Sequence, residues 1–322
     1  MTSPAPATRP VTLVLVTGHE SDRADFGPAT AGLSAEVLTC SRRVVHHVVR
    51  SALASTDDVV MVLPMTWGRD PGLVADCAKA LQWFATIEEG EPRLALCESL
   101  GTPDHLVAHL RKAVRTTASR RPGAGVLLTA RSENPFDDAE LHRLAHLVRT
   151  HGSEVQVEVA CVRPGLETED LARAVDRFHR LGADEVVVVP AGFARTCPEV
   201  AQFERVHFYG PLVADPALGR TIDDRMSLAR HRLGHGYDGI SAGLLADHDH
   251  GYAHSHEVQG DHHHGGGGHD HAHHDHAHHD HAHHDHDHHD QVQVQEPFAP
   301  VPRQDDGADG PMHDQPRRYE RC

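Results

Sequence analysis

Aromatic residues are scarce in this chain of 322 residues, at 4%. No basic stripe with interleaved aromatics occurs, and Asp and Glu outnumber Lys and Arg 47 to 30, for a formal charge of -17. That balance argues against nucleic acid as a partner. Long apolar runs are missing too. The longest, Val11–Val16 and Val186–Pro190, have strand length, well short of the roughly 18 residues a membrane span needs. Met1–Pro10 has neither a basic nor an apolar stretch, which reads as a short disordered arm and not a signal peptide. A cytoplasmic protein with no membrane partner is therefore expected. The six cysteines (Cys40, Cys77, Cys97, Cys161, Cys197, Cys322) form no CxxC pair and are expected to be reduced thiols. No Gly-x-x-x-x-Gly-Lys loop is present, so no nucleotide and no organic cofactor is expected.

Histidine is what the chain has in excess. Twenty of its 33 histidines lie between His248 and Asp290. They include His262, His263, His264 and His269, then a repeating five-residue unit carrying His271, His273, His274, His276, His278, His279, His281, His283, His284, His286, His288 and His289, with Asp closing each unit. The tract has almost nothing apolar and cannot bury a core of its own. Neutral imidazole is a common ligand for divalent first-row metals, so these histidines are expected to bind several such ions. Below about pH 6 much of that imidazole protonates and metal leaves.

Before the tract, two segments resemble each other. Val11–Thr17 followed by Gly18-His19-Glu20-Ser21 parallels Gly125–Thr129 followed by Ala130-Arg131-Ser132-Glu133. Val59–Pro64 parallels Val186–Pro190, each an apolar run closed by proline. Such runs read as buried parallel strands. Helical spacing marks Leu73–Phe84, Ala139–Val148 and Leu171–Leu181. A last strand and helix follow in each half: Arg93–Cys97 with Asp104–Val114, and Arg205–Tyr209 with Asp215–Arg230. In the first half Asp22–Ser34 reads as loop, Val37–Cys40 as a short strand and Arg42–Ala54 as a helix. The expected fold is α/β, two similar flavodoxin-like domains, each a small parallel sheet flanked by helices. The boundaries are a disordered arm over 1–10, a first domain over 11–118, a linker over 119–123, a second domain over 124–237 and a disordered tail over 238–322.

Four features together resemble the sirohydrochlorin cobaltochelatase family, the class II chelatases, in their long two-domain form. They are the loop Val16-Thr17-Gly18-His19-Glu20-Ser21 after strand one, the strand ending at Pro64, the pairing of Leu181-Gly182-Ala183 with Val186–Pro190, and Gly210-Pro211-Leu212 before Asp215-Pro216-Ala217-Leu218. They span residues 11 to 235. The resemblance implies insertion of a divalent metal, Co(II) first and Ni(II), Fe(II) or Zn(II) as alternatives, into a tetrapyrrole held between the halves of a monomer or homodimer. His19 maps onto the family's first active histidine and is the implied metal ligand or base, with Glu20 orienting it or adding an oxygen ligand. Arg69, Arg131 and Arg195 are implied partners for substrate carboxylates, since guanidinium pairs bidentately with carboxylate.

The chain departs from the family pattern at the second histidine. The loop Pro64–Pro71 has Arg69 and Asp70 near the place where it is expected, and the loop Pro190–Cys197 has no histidine. This departure gives weight to an alternative: a non-catalytic protein that stores or chaperones cobalt or nickel on a chelatase scaffold. The pairs His105/His109 and His142/His146 stand four apart on expected helices and, with His46-His47, read as solvated surface.

Overall fold

In a computed structural model, the described residues are 9–21, 23–86, 92–150 and 155–246. The expected metal ligands His262–His289, the tail from residue 247 and Cys322 lie outside them. The described chain alternates strand and helix: β1 (Val11–Thr17), α1 (Gly27–Thr30), β2 (Glu36–Ser41), α2 (Val45–Ser55), β3 (Val59–Met65), α3 (Pro71–Ala85), β4 (Leu94–Leu96) and α4 (Pro103–Arg120). The second half follows with β5 (Gly125–Arg131), α5 (Pro135–Arg149), β6 (Val157–Val162), α6 (Glu167–Arg180), β7 (Val186–Pro190), β8 (Val206–Phe208), α7 (Asp215–Gly234) and α8 (Ile240–Leu244).

The result is an α/β fold of two four-stranded parallel sheets, ordered β2-β1-β3-β4 and β6-β5-β7-β8. Both orders match the start of the flavodoxin-like series. The register repeats as well: Val16 pairs with Pro64 in the first sheet and Thr129 with Pro190 in the second. The central strands are apolar on consecutive positions because both faces are covered. Leu13, Leu15, Met61 and Leu63 face one core, while Val14, Val16, Val60 and Val62 face another beneath α2 and α3.

The two halves share a core. Leu13, Leu63, Leu106 and Leu110 from the first half cluster with Val126, Leu128, Leu141 and Val189 from the second. Helix α7, which follows the second sheet, packs on β3, β4 and α1, and α4 packs on α5 and β7. The linker over 119–123 thus separates the sheets but not their cores.

Sharp helix starts explain the loop geometry. The Asp70 side chain accepts from Leu73 N at 2.9 Å to cap α3, Thr102 and His105 form a reciprocal capping box on α4, and Asn134 caps α5 through Phe136 N and Asp137 N.

The structure differs from the sequence reading at three places. β6 is a strand where none was expected. Gly27–Thr30 makes a short helix inside the expected loop. Residues 238–246, placed in the tail, are folded: Leu96 N donates to Asp238 O at 2.7 Å, and Ile240 is buried beneath α3. Gly239 adopts a left-handed φ of 77° against Leu96 O, a position closed to other residues. The five described cysteines are free thiols. Among the described residues no helix is long and apolar enough to cross a membrane.

Candidate functional site

His19 begins a 3-10 turn directly after β1 and lies deeply buried. Its Nδ1 is 3.1 Å from Asp70 Oδ2, and its Nε2 is 3.3 Å from Asp137 Oδ1 on α5 of the other half. These are charge contacts at hydrogen-bond distance but off the hydrogen-bond direction, and all four atoms are buried without another bonded partner. Burial alone would lower the His19 pKa. The carboxylates of Asp137 and Asp70 reverse that and hold it at about 10. Burial pushes Asp70 up, but its contacts with His19 outweigh this and keep its carboxyl below the usual range.

A histidine so held favours the imidazolium form, in which both ring nitrogens carry protons. In this arrangement His19 is held by two carboxylates, one from each half. Among the described residues no three His, Cys, Asp or Glu side chains group closely enough to hold a metal ion.

Glu20 is buried and also engaged. Its carboxylate accepts from Thr66 Oγ1, from Trp67 N at 3.1 Å and from Arg69 N at 3.1 Å. Burial raises its pKa against the opposing pull of Arg69 and Thr66. Ser21 Oγ donates to Met65 O at 2.8 Å. The His19–Ser21 turn therefore fixes the loop after β3.

Arg69 is inside the protein, not in a substrate cleft. It donates through Nη2 to Asp137 Oδ2 at 2.6 Å and through Nη1 to Ala191 O at 3.0 Å. Arg195 pairs with Asp215 at 2.5 and 3.1 Å. Arg131 alone of the three expected clamps lines a cleft shared with the edge of His19. The three arginines do not converge on one cleft.

That cleft, about 200 Å³, opens at the carboxyl ends of β5 and β7, where the strand order of the second sheet reverses. Ligands of open α/β sheets bind at such points. Thr129, Arg131, Glu167, Cys197 and Glu199 line it, with Arg23 entering from the first half. Arg23 is bidentate to Glu199 at 2.7 Å for both bonds. The edge of His19 reaches this cleft, but its ring nitrogens are engaged elsewhere.

Sequence reasoning missed Asp137, Arg42 and Arg23. Asp137 sits in the first turn of α5 behind Asn134-Pro135, a cap signal that accounts for a structural acid and hides a long-range one. Arg42 lies 3.8 Å from Asp70 and bonds Asp76 at 2.7 Å.

No protein-family model matches the sequence, nor does any curated protein. Among solved structures, DR2241 from Deinococcus radiodurans, described as a multi-domain protein with structural similarity to chelatases, aligns at 18% identity with a TM-score of 0.37, over 67% of this chain and 55% of its own. The chain thus spans about half the length of that protein. An extracellular ligand-binding receptor from Verminephrobacter eiseniae aligns at 13% identity and TM-score 0.35 over 75% of this chain and 83% of its own. A glucose-galactose binding protein from Geobacillus stearothermophilus aligns at 13% identity and TM-score 0.35, over 72% and 93%. At such scores the description of the fold rests on the strand order and register of this chain alone.

Proposed function

We propose that this protein binds and carries a divalent first-row transition metal, Co(II) or Ni(II), with the tract His248–Asp290 as the loading segment and the two-sheet body as its scaffold. The observation that carries this reading is the tract itself: twenty histidines interspersed with eight aspartates. Imidazole supplies metal ligands, and carboxylates add negative charge that attracts cations. The metal is cargo, and no organic cofactor is invoked.

Insertion of Co(II) into sirohydrochlorin is the second reading. Its support is the resemblance of the strand-one loop and the cleft bordered by His19 and Arg131. Against it stand the closed state of His19, Glu20 and Arg69, and a cleft volume of about 200 Å³, below the 300–1,000 Å³ common for pockets that bury a drug-sized ligand.

An absorbance assay with sirohydrochlorin and Co(II), run on the full chain and on His19→Ala, separates the two. The carrier reading expects no insertion above the spontaneous rate from either, while both bind several ions. Fast insertion abolished by His19→Ala would replace it with the enzymatic reading.

A further inference from the structure

Histidines four apart occur three times at helices among the described residues: His105/His109 on α4, His142/His146 on α5, and His231/His235 across the C-terminal end of α7. The first pair is committed elsewhere. His105 Nδ1 accepts from Thr102 N at 3.3 Å in the α4 cap, and the His109 ring packs on Trp67 with centroids 5.2 Å apart. His231 and His235 are both exposed, and theirs are the rings that touch, with centroids 4.7 Å apart and planes inclined by 73°.

That separation fits a chelate. With metal–nitrogen bonds of about 2.0–2.1 Å, two imidazoles on one ion put their ring centres roughly 4.5–5.2 Å apart. His231 lies in the last turn of the 20-residue α7 and His235 is the residue that caps its end, where the aligned peptide dipoles favour a cation. Of the two arginines that flank His231, Arg232 is paired with Glu98 at 2.6 Å and Arg230 donates to Arg9 O at 3.1 Å.

We propose that His231 and His235 chelate a divalent first-row transition ion on the folded body, at a site separate from the histidine tract. The site supplies two protein ligands and leaves the other coordination positions to water or to an incoming donor. An open site of this kind suits an ion in transit. The chelate does not depend on the carrier reading above; its use in handing over an ion does.

The test is carbethoxylation of the full chain by diethyl pyrocarbonate, read at single histidines by tandem mass spectrometry, with Ni(II) raised past saturation of the tract. His47, exposed on α2, is the internal reference. The expected result is protection of both His231 and His235 by about tenfold or more relative to His47 once free metal exceeds ten times the dissociation constant. In His235→Ala, His231 is expected to label at one rate with and without Ni(II), because a lone exposed histidine has lost its chelate partner. Equal labelling of the natural chain with and without metal would overturn the proposal. Protection of His231 that persists in His235→Ala would overturn it as well. If the pair chelates but the tract takes up no metal, the chelate stands and the carrier reading falls.

Discussion

His19 of the first half and Asp137 of the second face each other across 3.3 Å inside the protein, and the same carboxylate takes Arg69 Nη2 at 2.6 Å. With Asp70 on the other side of the His19 ring and Arg42 beyond it, five charged groups alternate in sign, four from the first half and Asp137 from the second. Such an array holds two bodies in register, since removing one member leaves its neighbours buried and uncompensated.

His19→Gln is therefore expected to destabilise the protein by about 3–5 kcal/mol in denaturant unfolding, with metal uptake by the tract unchanged. The effect depends on pH with a definite sign. The His19 pKa is raised from 6.5 to about 10, so its contribution is complete below the ordinary value and is lost as pH rises through about 10. The stability gap between the natural chain and His19→Gln should shrink from about pH 6.5 to about pH 10.5. A gap constant over that range would mean that His19 is neutral in the fold. Asp70, held low, acts at the other end: its contribution is present above its ordinary value and fades as pH falls through the lowered one.

Arg69→Met tests whether this arginine serves the fold or a ligand. Its guanidinium bonds Asp137 and Ala191 O, and its side chain has no exposed surface. A loss on the order of 3–5 kcal/mol is expected from the stranded carboxylate. An unfolding midpoint unmoved by the substitution would show that Arg69 adds nothing to the charged array around His19.

Gly192→Ala probes the backbone side of the same interface. A Cβ at Gly192 would meet Glu20 O at 2.5 Å, and Phe193 N donates to that same oxygen at 3.0 Å. Backbone cannot yield as a side-chain tip can, so a cost of about 1–3 kcal/mol is expected. Unchanged thermal unfolding would mean that the halves tolerate separation here.

The halves should not fold apart. Residues 9–120 expressed alone lack α7 and α8, which pack on β3, β4 and α3, and lose half of a shared core. Circular dichroism should show no cooperative melt for this fragment. A cooperative melt matching that of the full chain would show two independent domains.

Much of the fold was legible because the central strands have continuous apolar runs. Val11–Val16, Val59–Pro64 and Val186–Pro190 need no partner to declare themselves. β6 is different: Val157-Glu158-Val159 alternates as an edge strand does, a weaker pattern than the runs that marked its neighbours. The site was half legible. His19 and Asp70 lie on adjacent loops of one sheet, so a shared place could be read. Asp137 reaches them from α5, 118 residues beyond His19, and only the packing of the two halves brings it in. The same packing converts Glu20 and Arg69, which in sequence read as reactive groups on open loops, into buried structural bonds.

Equilibrium dialysis against Co(II) or Ni(II), comparing the full chain with one lacking residues 248–290, addresses the central claim most directly. If each ion takes four to six imidazoles, the twenty histidines of the tract correspond to roughly three to five ions per chain. The full chain should bind about that number, releasing them below about pH 6, and the shortened chain should retain about one, at His231 and His235. Equal binding by both chains would contradict a metal-carrying tract.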